Sequence, residues 1–194
     1  MLCGLSVALP AAAAGTVDAS YVRSLAVPGN TVLVIEYYDG SNKIVDRRGF
    51  ASVSGFKAVS PTDIRVDDKI ALHLFGLEPC QGEMINRQEN FAGRCEDYAM
   101  EQLQILLKSP RVIFCRVFLS EKDAPAQDAT CFGYYNYPGT LDTIDNFEDQ
   151  LVSLGALRLS RKPDGTLMRP DLAPAENIGR GGFGMWADPR IVQQ

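Results

Sequence analysis

His73-Leu74-Phe75-Gly76-Leu77-Glu78-Pro79-Cys80-Gln81 is the most informative stretch of this 194-residue chain. Leu74, Phe75 and Leu77 form an apolar frame that reads as part of a strand from Ala71 to Leu77. Three polar residues, His73, Glu78 and Gln81, are set on that frame. Two strand-like segments precede it. Phe56-Lys57-Ala58-Val59-Ser60 reads as a first strand, and Asp63-Ile64-Arg65-Val66 alternates as a second, with Asp67-Asp68 as the turn into the third.

Downstream, Glu96 to Lys108 (EDYAMEQLQILLK) reads as an amphipathic helix. Tyr98, Met100, Leu103, Ile105 and Leu106 include the i, i+3, i+4 spacing of a buried stripe. Ser109-Pro110 stops it, because the residue before proline disfavours the helical region. Arg111 to Leu119 and Ala129 to Tyr135 read as two strands joined by a charged, proline-containing loop. Asp145 with Glu148 has the spacing of a capping box opening a second helix, with Phe147, Leu151 and Leu154 on its apolar face and Gly155 as its C-cap. A short helix over Ala173 to Ile178 leads into the glycine-rich stretch Gly179 to Gly184, a mobile hinge before the single tryptophan, Trp186. At the other end, Thr31 to Tyr38 (TVLVIEYY) is rich in β-branched and aromatic residues. Asp39-Gly40 marks a turn after it, and Lys43-Ile44-Val45 returns as the partner of a hairpin.

The opening stretch resembles the third strand of the staphylococcal-nuclease-like (thermonuclease) family, where the pattern reads roughly Arg-Leu-Phe-Gly-Ile-Asp-Ala-Pro-Glu. Two further segments match in the right order. Asn146 to Leu157 (NFEDQLVSLGAL) is similar to the family's "hN..LV..GLA", and Ala175 to Trp186 (AENIGRGGFGMW) to its "AE..AR....G.W" ending. The resemblance covers Phe56 to Trp186, roughly two thirds of the chain. It implies an α+β fold, a five-stranded OB-type β-barrel with two to three helices, in a domain over 56–190; the extension over 15–55 that carries the β-hairpin has no clear counterpart in the family core.

The same resemblance assigns the polar positions. Phosphodiester cleavage in the family uses carboxylates on a calcium ion, a carboxylate that handles water, and two guanidinium groups that clamp the phosphoryl oxygens. His73 stands at the first clamping arginine and cannot offer a bidentate fork. Asp128, in Ala126-Gln127-Asp128-Ala129, stands at the second and would repel phosphate. Gln81 replaces the glutamate and cannot take a proton. Glu78 falls at one metal carboxylate. The other, an Asp-Gly-Asp-Thr turn in the family, reads Ser60-Pro61-Thr62-Asp63, so Asp63 ligates only with a one-residue slip that needs a bulge. Losing one charge-stabilising donor typically costs on the order of 10²–10³ in rate, and groups that act as a unit fail together. His73 and Glu78 as a new acid/base pair would require a bent strand, since residues five apart on one strand face opposite ways.

Net charge is −5, which disfavours general nucleic-acid binding. The basic residues Arg47-Arg48 and Arg158, Arg161, Lys162 and Arg169 read as solvated faces. Phe132-Gly133-Tyr134-Tyr135-Asn136-Tyr137 reads as packing in preference to a base-stacking platform. Met1 to Ala14 (MLCGLSVALPAAAA) suits a signal peptide lacking its basic region, and points to a periplasmic or secreted protein. Removing Cys3 leaves Cys80, Cys95, Cys115 and Cys131, which allow three pairings. Cys115 and Cys131 lie on successive strands that turn near Lys122 to Pro125. Cys80 follows the third strand, and Cys95 sits at the start of the helix. Cys80–Cys95 with Cys115–Cys131 is therefore preferred over a thiolate–His73 metal site, which has no Cys-x-x-Cys spacing to support it. The expectation is an exported, non-catalytic, thermonuclease-like protein that binds a protein or ligand partner and needs no cofactor. The alternative is a divergent calcium-dependent nuclease, drawing on Arg65, Arg87 or Arg94 for the lost clamp.

Overall fold

A mixed eight-stranded sheet organises the protein. The computed structural model describes residues 17–136 and 142–192, so the segment read as a signal peptide, with Cys3, and Tyr137 lie outside the described residues. Helix α1 (Ala19–Ser24) is capped by the Asp18 carboxylate, which accepts from the N–H groups of Ser20 and Tyr21. Strands β1 (Thr31–Tyr38) and β2 (Ile44–Ser52) form the predicted hairpin. Asp39 makes its turn: one carboxylate oxygen accepts from the N–H groups of Ser41 at 2.9 Å and Lys43 at 3.0 Å.

The three predicted strands are present but short: β3 (Lys57–Ala58), β4 (Asp63–Arg65) and β5 (Ala71–Leu74). The third breaks at Phe75-Gly76, where Gly76 takes φ +73°, and resumes as β6 (Leu77–Glu78) on a different ladder. A hairpin of β7 (Glu83–Asn86) and β8 (Phe91–Arg94) follows, unforeseen in the sequence. Helix α2 (Cys95–Lys108) then leads to β9 (Val112–Phe118) and β10 (Ala126–Tyr135). The remainder comprises β11 (Thr143–Asn146), α3 (Phe147–Ser153), β12 (Arg158–Leu159), α4 (Ala173–Gly179) and α5 (Pro189–Val192).

Strand order is β2-β1-β9-β10-β5-β4-β3, with β11 also on β10. The β1–β9 and β5–β10 pairs are parallel, and the others are antiparallel. The five strands expected as a barrel are thus neighbours, but among the described residues no ladder joins β3 back to β9. That edge of β9 is held by β1 from Val32↔Val112 to Tyr38↔Phe118. An edge offers one set of N–H and C=O groups, so the N-terminal hairpin stands where a closing strand would.

Alternation divides the sheet into two faces. Leu33, Ile35, Tyr37, Ile113, Cys115, Val117, Leu72 and Ile64 are buried in the main core with Leu103 and Leu107 of α2 and Phe147 and Leu151 of α3. The opposite face buries Val32, Val34, Val112, Phe114 and Tyr134 beneath Val22 of α1. Tyr134 and Tyr135 are both buried, so neither offers a stacking platform.

Four local expectations change, the first being Leu154, which lies 43% exposed at the C-cap of α3 and off its buried face. On α2 the buried positions are Cys95, Tyr98, Ala99, Leu103 and Leu107, while Met100 and Ile105 are exposed, because only the i, i+3/i+4 series meets the sheet. Helix α3 is capped by Asn146, which accepts from Asp149 N–H at 2.8 Å. Asp145 belongs to β11 and Glu148 turns inward, so there is no capping box. The glycine-rich segment is packed and makes no free hinge. A Cβ at Gly155 would lie 2.2 Å from Phe183 O, one at Gly179 2.5 Å from Val152 O, and one at Gly184 2.3 Å from Leu154 O. This close approach seats Trp186 at 6% exposure.

Disulfides join Cys80 to Cys95 and Cys115 to Cys131. The second crosses directly paired residues of β9 and β10, with Cα atoms 4.1 Å apart. Replacing Cys115 and Cys131 together with alanine is expected to lower unfolding free energy by about 2–4 kcal/mol. Urea unfolding of oxidised wild type and variant checks this, and an unchanged midpoint contradicts it.

Candidate functional site

Beyond the cover of α1, the outer sheet face carries a row of polar side chains set by register. Asp63 on β4 lies opposite His73 on β5, and His73 lies beside Asp128 on β10. Shared register puts all three on one face. His73 Nδ1 is 2.8 Å from Asp63 Oδ1, and the Ser60 hydroxyl donates to the other Asp63 oxygen. With Asp63 ionised, Nδ1 must carry the ring proton, and Nε2 remains the ring nitrogen outside the pair. The dyad is about one third exposed, so water and solutes reach it. Asp128 has no side-chain partner among the described residues. Its backbone N–H donates to Glu121 at 2.5 Å. The neighbouring Gln127 is fully buried on the other face, where it accepts from Tyr37 Oη at 3.0 Å and donates to the carbonyls of Lys122 and Ala124. Those bonds hold the β9–β10 connection and leave Asp128 outward.

Glu78 is elsewhere. The break at Gly76 carries it onto the β6–β12 pair, where it accepts from Arg158 Nε at 2.9 Å and from the Ser160 hydroxyl at 3.2 Å. Its partner is therefore Arg158, while Arg94 is held by Glu96. Gln81 is exposed. Thr62, the residue of straight alignment, is 9% exposed, whereas Asp63 takes the polar face. No cluster of three or more His, Cys, Asp or Glu side chains suited to a metal occurs among the described residues. The residues assigned to a common site thus divide in three: Asp63, His73 and Asp128 in one row, Glu78 in an ion pair, and Gln81 exposed apart from both.

Next to the row lies a groove of about 520 Å³. Tyr38, Phe75, Phe118 and Phe132 supply its aromatic surface, and Thr130 and Asn146 its neutral polar surface. Its charged residues are Glu121, Asp128, Asp171 and Arg169. Tyr38 and Phe118 pack with ring centroids 4.4 Å apart.

Gly76 explains how Arg169 arrives there. A Cβ at Gly76 would sit 2.8 Å from Arg169 Cγ, so only glycine lets the Arg169 stem cross the broken strand. Arg169 then grips Asp171 through Nε at 3.0 Å and Nη2 at 2.8 Å, with Nη1 3.7 Å from Glu148 Oε1. Glu148 is wholly buried, and its other oxygen accepts from Cys131 N–H at 3.1 Å. Among the described residues Oε1 has no hydrogen-bond partner. Burial pushes the Glu148 carboxyl up to about 7, against the opposing pull of its own N–H, of Arg169 and of the Cys131 N–H.

Arg158 and Arg169 were expected on a solvated face, yet their side chains are only 19% and 13% exposed. Arg47 is 49% exposed, as expected, but its guanidinium reaches the buried Glu36 at 2.7 Å. Their spacing resembled a charge run because their partners, Glu78, Glu148, Asp171 and Glu36, lie on other elements or were read in other roles. Glu148 was missed outright, since it also satisfied a capping pattern. The one available signal for Arg169 was a glycine inside an apolar frame, which marks close backbone approach. Comparison of the chain with family models, with curated proteins and with solved structures finds no match.

The raised carboxyl gives a signed prediction. Protonated Glu148 favours the folded state. That stabilisation is complete below the ordinary carboxyl range and is lost as pH rises through about 7. Wild-type stability should fall between mildly acidic and mildly alkaline pH, and Glu148→Gln should flatten that segment. Urea melts across this range check it; parallel profiles for the two proteins contradict it.

Proposed function

We propose that this protein is an exported, non-catalytic binding protein built on a divergent staphylococcal-nuclease-like domain of OB-type ancestry. Three antiparallel strands, β3 to β5, then α2, then β9 and β10 follow in the order the resemblance implies, and β5 lies beside β10. The two disulfides suit an oxidising compartment, periplasmic or extracellular. No described helix is long and apolar enough to cross a membrane.

The observation that carries the reading is the charge of the polar row. Asp63, His73 and Asp128 share one face, with carboxylates on both sides of the imidazole. No lysine or arginine pairs with any of the three among the described residues. A phosphodiester arriving there meets repulsion where transition-state charge needs guanidinium donors. Glu78 is committed to Arg158 and Ser160, and holding a cation would mean giving up both contacts. Chain-level charge works the same way, since non-specific nucleic-acid affinity comes mostly from phosphate neutralisation.

The test is cleavage of labelled single-stranded DNA and RNA by the protein freed of its first 14 residues, with calcium and with chelator, beside a Glu78→Ala variant. No metal-dependent cleavage is expected from either protein. Calcium-dependent cleavage lost in Glu78→Ala would overturn the non-catalytic reading and establish the divergent nuclease instead. Because Glu78 is 43% exposed, the substitution should reduce stability by no more than about 1 kcal/mol, so a folded control is attainable.

A further inference from the structure

We propose that the groove beside the Asp63–His73–Asp128 row is a binding site for an organic cation, an alkylammonium group received by aromatic faces and unpaired carboxylates. The inference rests on the reading of the protein as a binding module and names the ligand class its site takes.

Charge pairing in the groove leads to this assignment. Arg169 is the one cation among the described residues that line its wall, and it is already engaged. Asp171 takes a bidentate grip at 3.0 and 2.8 Å, and Glu148 lies behind at 3.7 Å. Glu121 and Asp128 are left. Glu121 accepts the Asp128 N–H, and neither carboxylate has a cationic partner among the described residues. Arg116, also on this face of β9, stacks over Phe114 at 5.8 Å and lies 4.0 Å from Glu36. Among the described lining residues the balance is therefore net negative, which disfavours phosphate and carboxylate ligands on charge.

The aromatics narrow the choice further. Phe118 is 47% exposed and Phe75 36% exposed, so a ligand can reach both side chains. Phe118 is tilted against Tyr38, and both residues line the cavity together with Glu121, Asp128 and Asp171. Burial and the Glu121 carboxylate push the Tyr38 phenol up, against the opposing pull of Arg116 and Arg169. An inorganic cation would need converging oxygen ligands, and none cluster here. An alkylammonium uses what is present: a diffuse positive charge over π faces, with carboxylates at the rim.

Choline and its neutral isostere 3,3-dimethylbutan-1-ol are titrated into isotopically labelled protein and followed by NMR of the Phe118 ring and the Asp128 amide. Saturable shifts at both positions with choline, at least tenfold weaker with the isostere, are expected. Asp128→Asn should weaken choline binding about tenfold and Phe118→Leu about fivefold, the scale of one charge contact and one cation–π contact. Phe118→Leu keeps the apolar volume, so a dispersed wild-type-like spectrum separates loss of the π face from misfolding. Equal binding of choline and isostere overturns the proposal in favour of a merely apolar groove. Absence of shifts in the millimolar range also overturns it. The cleavage assay above reads independently. Choline binding with metal-dependent cleavage sinks the non-catalytic reading alone, and no binding with no cleavage sinks the cation site alone.

Discussion

Strand β10 has both backbone edges claimed, and the sheet depends on that. On one edge it pairs with β9 from residue 129 to 134. On the other it pairs in parallel with β5 over residues 126–129 and with β11 over residues 132–135. A single ten-residue strand thereby joins the N-terminal hairpin, through β9, to the short β3–β4–β5 meander. The Cys115–Cys131 bridge locks the register of that central pair. Because side chains alternate along a strand, fixing this register also decides which residues of β10 look into the core and which look out. Gln127, Ala129 and Cys131 go in; Asp128, Thr130 and Phe132 go out to the groove.

Among the described residues the outward face is only partly covered, because α1 is short. Six residues of helix cover Val32, Val34, Phe114 and Tyr134, and Val17, just before the helix, reaches the groove. Tyr38 and Phe118 stand at the C-terminal ends of their parallel strands, past that cover. The remaining wall comes from the segment carrying Arg169 and Asp171, admitted over the strand break by the bare backbone of Gly76. Beneath it, Glu148 combines full burial, one backbone donor and a cation just outside hydrogen-bond range. A carboxyl so placed carries much of its proton at neutral pH, so the charge balance around Arg169 shifts with pH.

Sequence reading fared unevenly across the chain, and the reasons are physical. The β1–β2 hairpin was legible because Asp39 and Gly40 impose a turn through local hydrogen bonds. Helix α2 was legible as a helix, but Met100 and Ile105 were misassigned to its buried face, since several apolar positions competed for one stripe. Asp145 and Glu148 satisfied a capping rule that Asn146 fulfils instead. Local spacing cannot say which of two adequate caps the chain adopts when burial of one of them competes. The glycines near the C-terminus suggested freedom of motion, whereas close contacts with Phe183, Val152 and Leu154 make them points of tight packing.

What the sequence determined by itself was local and chemical. Four cysteines beyond Cys3 implied two bridges, successive strands implied their pairing, and His73, Gln81 and Asp128 stood out as polar residues beside apolar runs. Only the tertiary structure decided which charges meet. His73 and Glu78 lie five residues apart, yet His73 pairs with Asp63 and Glu78 with Arg158, because a glycine breaks the strand between them and each half joins a different ladder. Likewise Arg169 reaches Glu148 and the aromatic groove through a crossing that no spacing in the sequence encodes. Electrostatic partnership depends on distances of a few ångströms and on burial, and those are properties of the packed sheet.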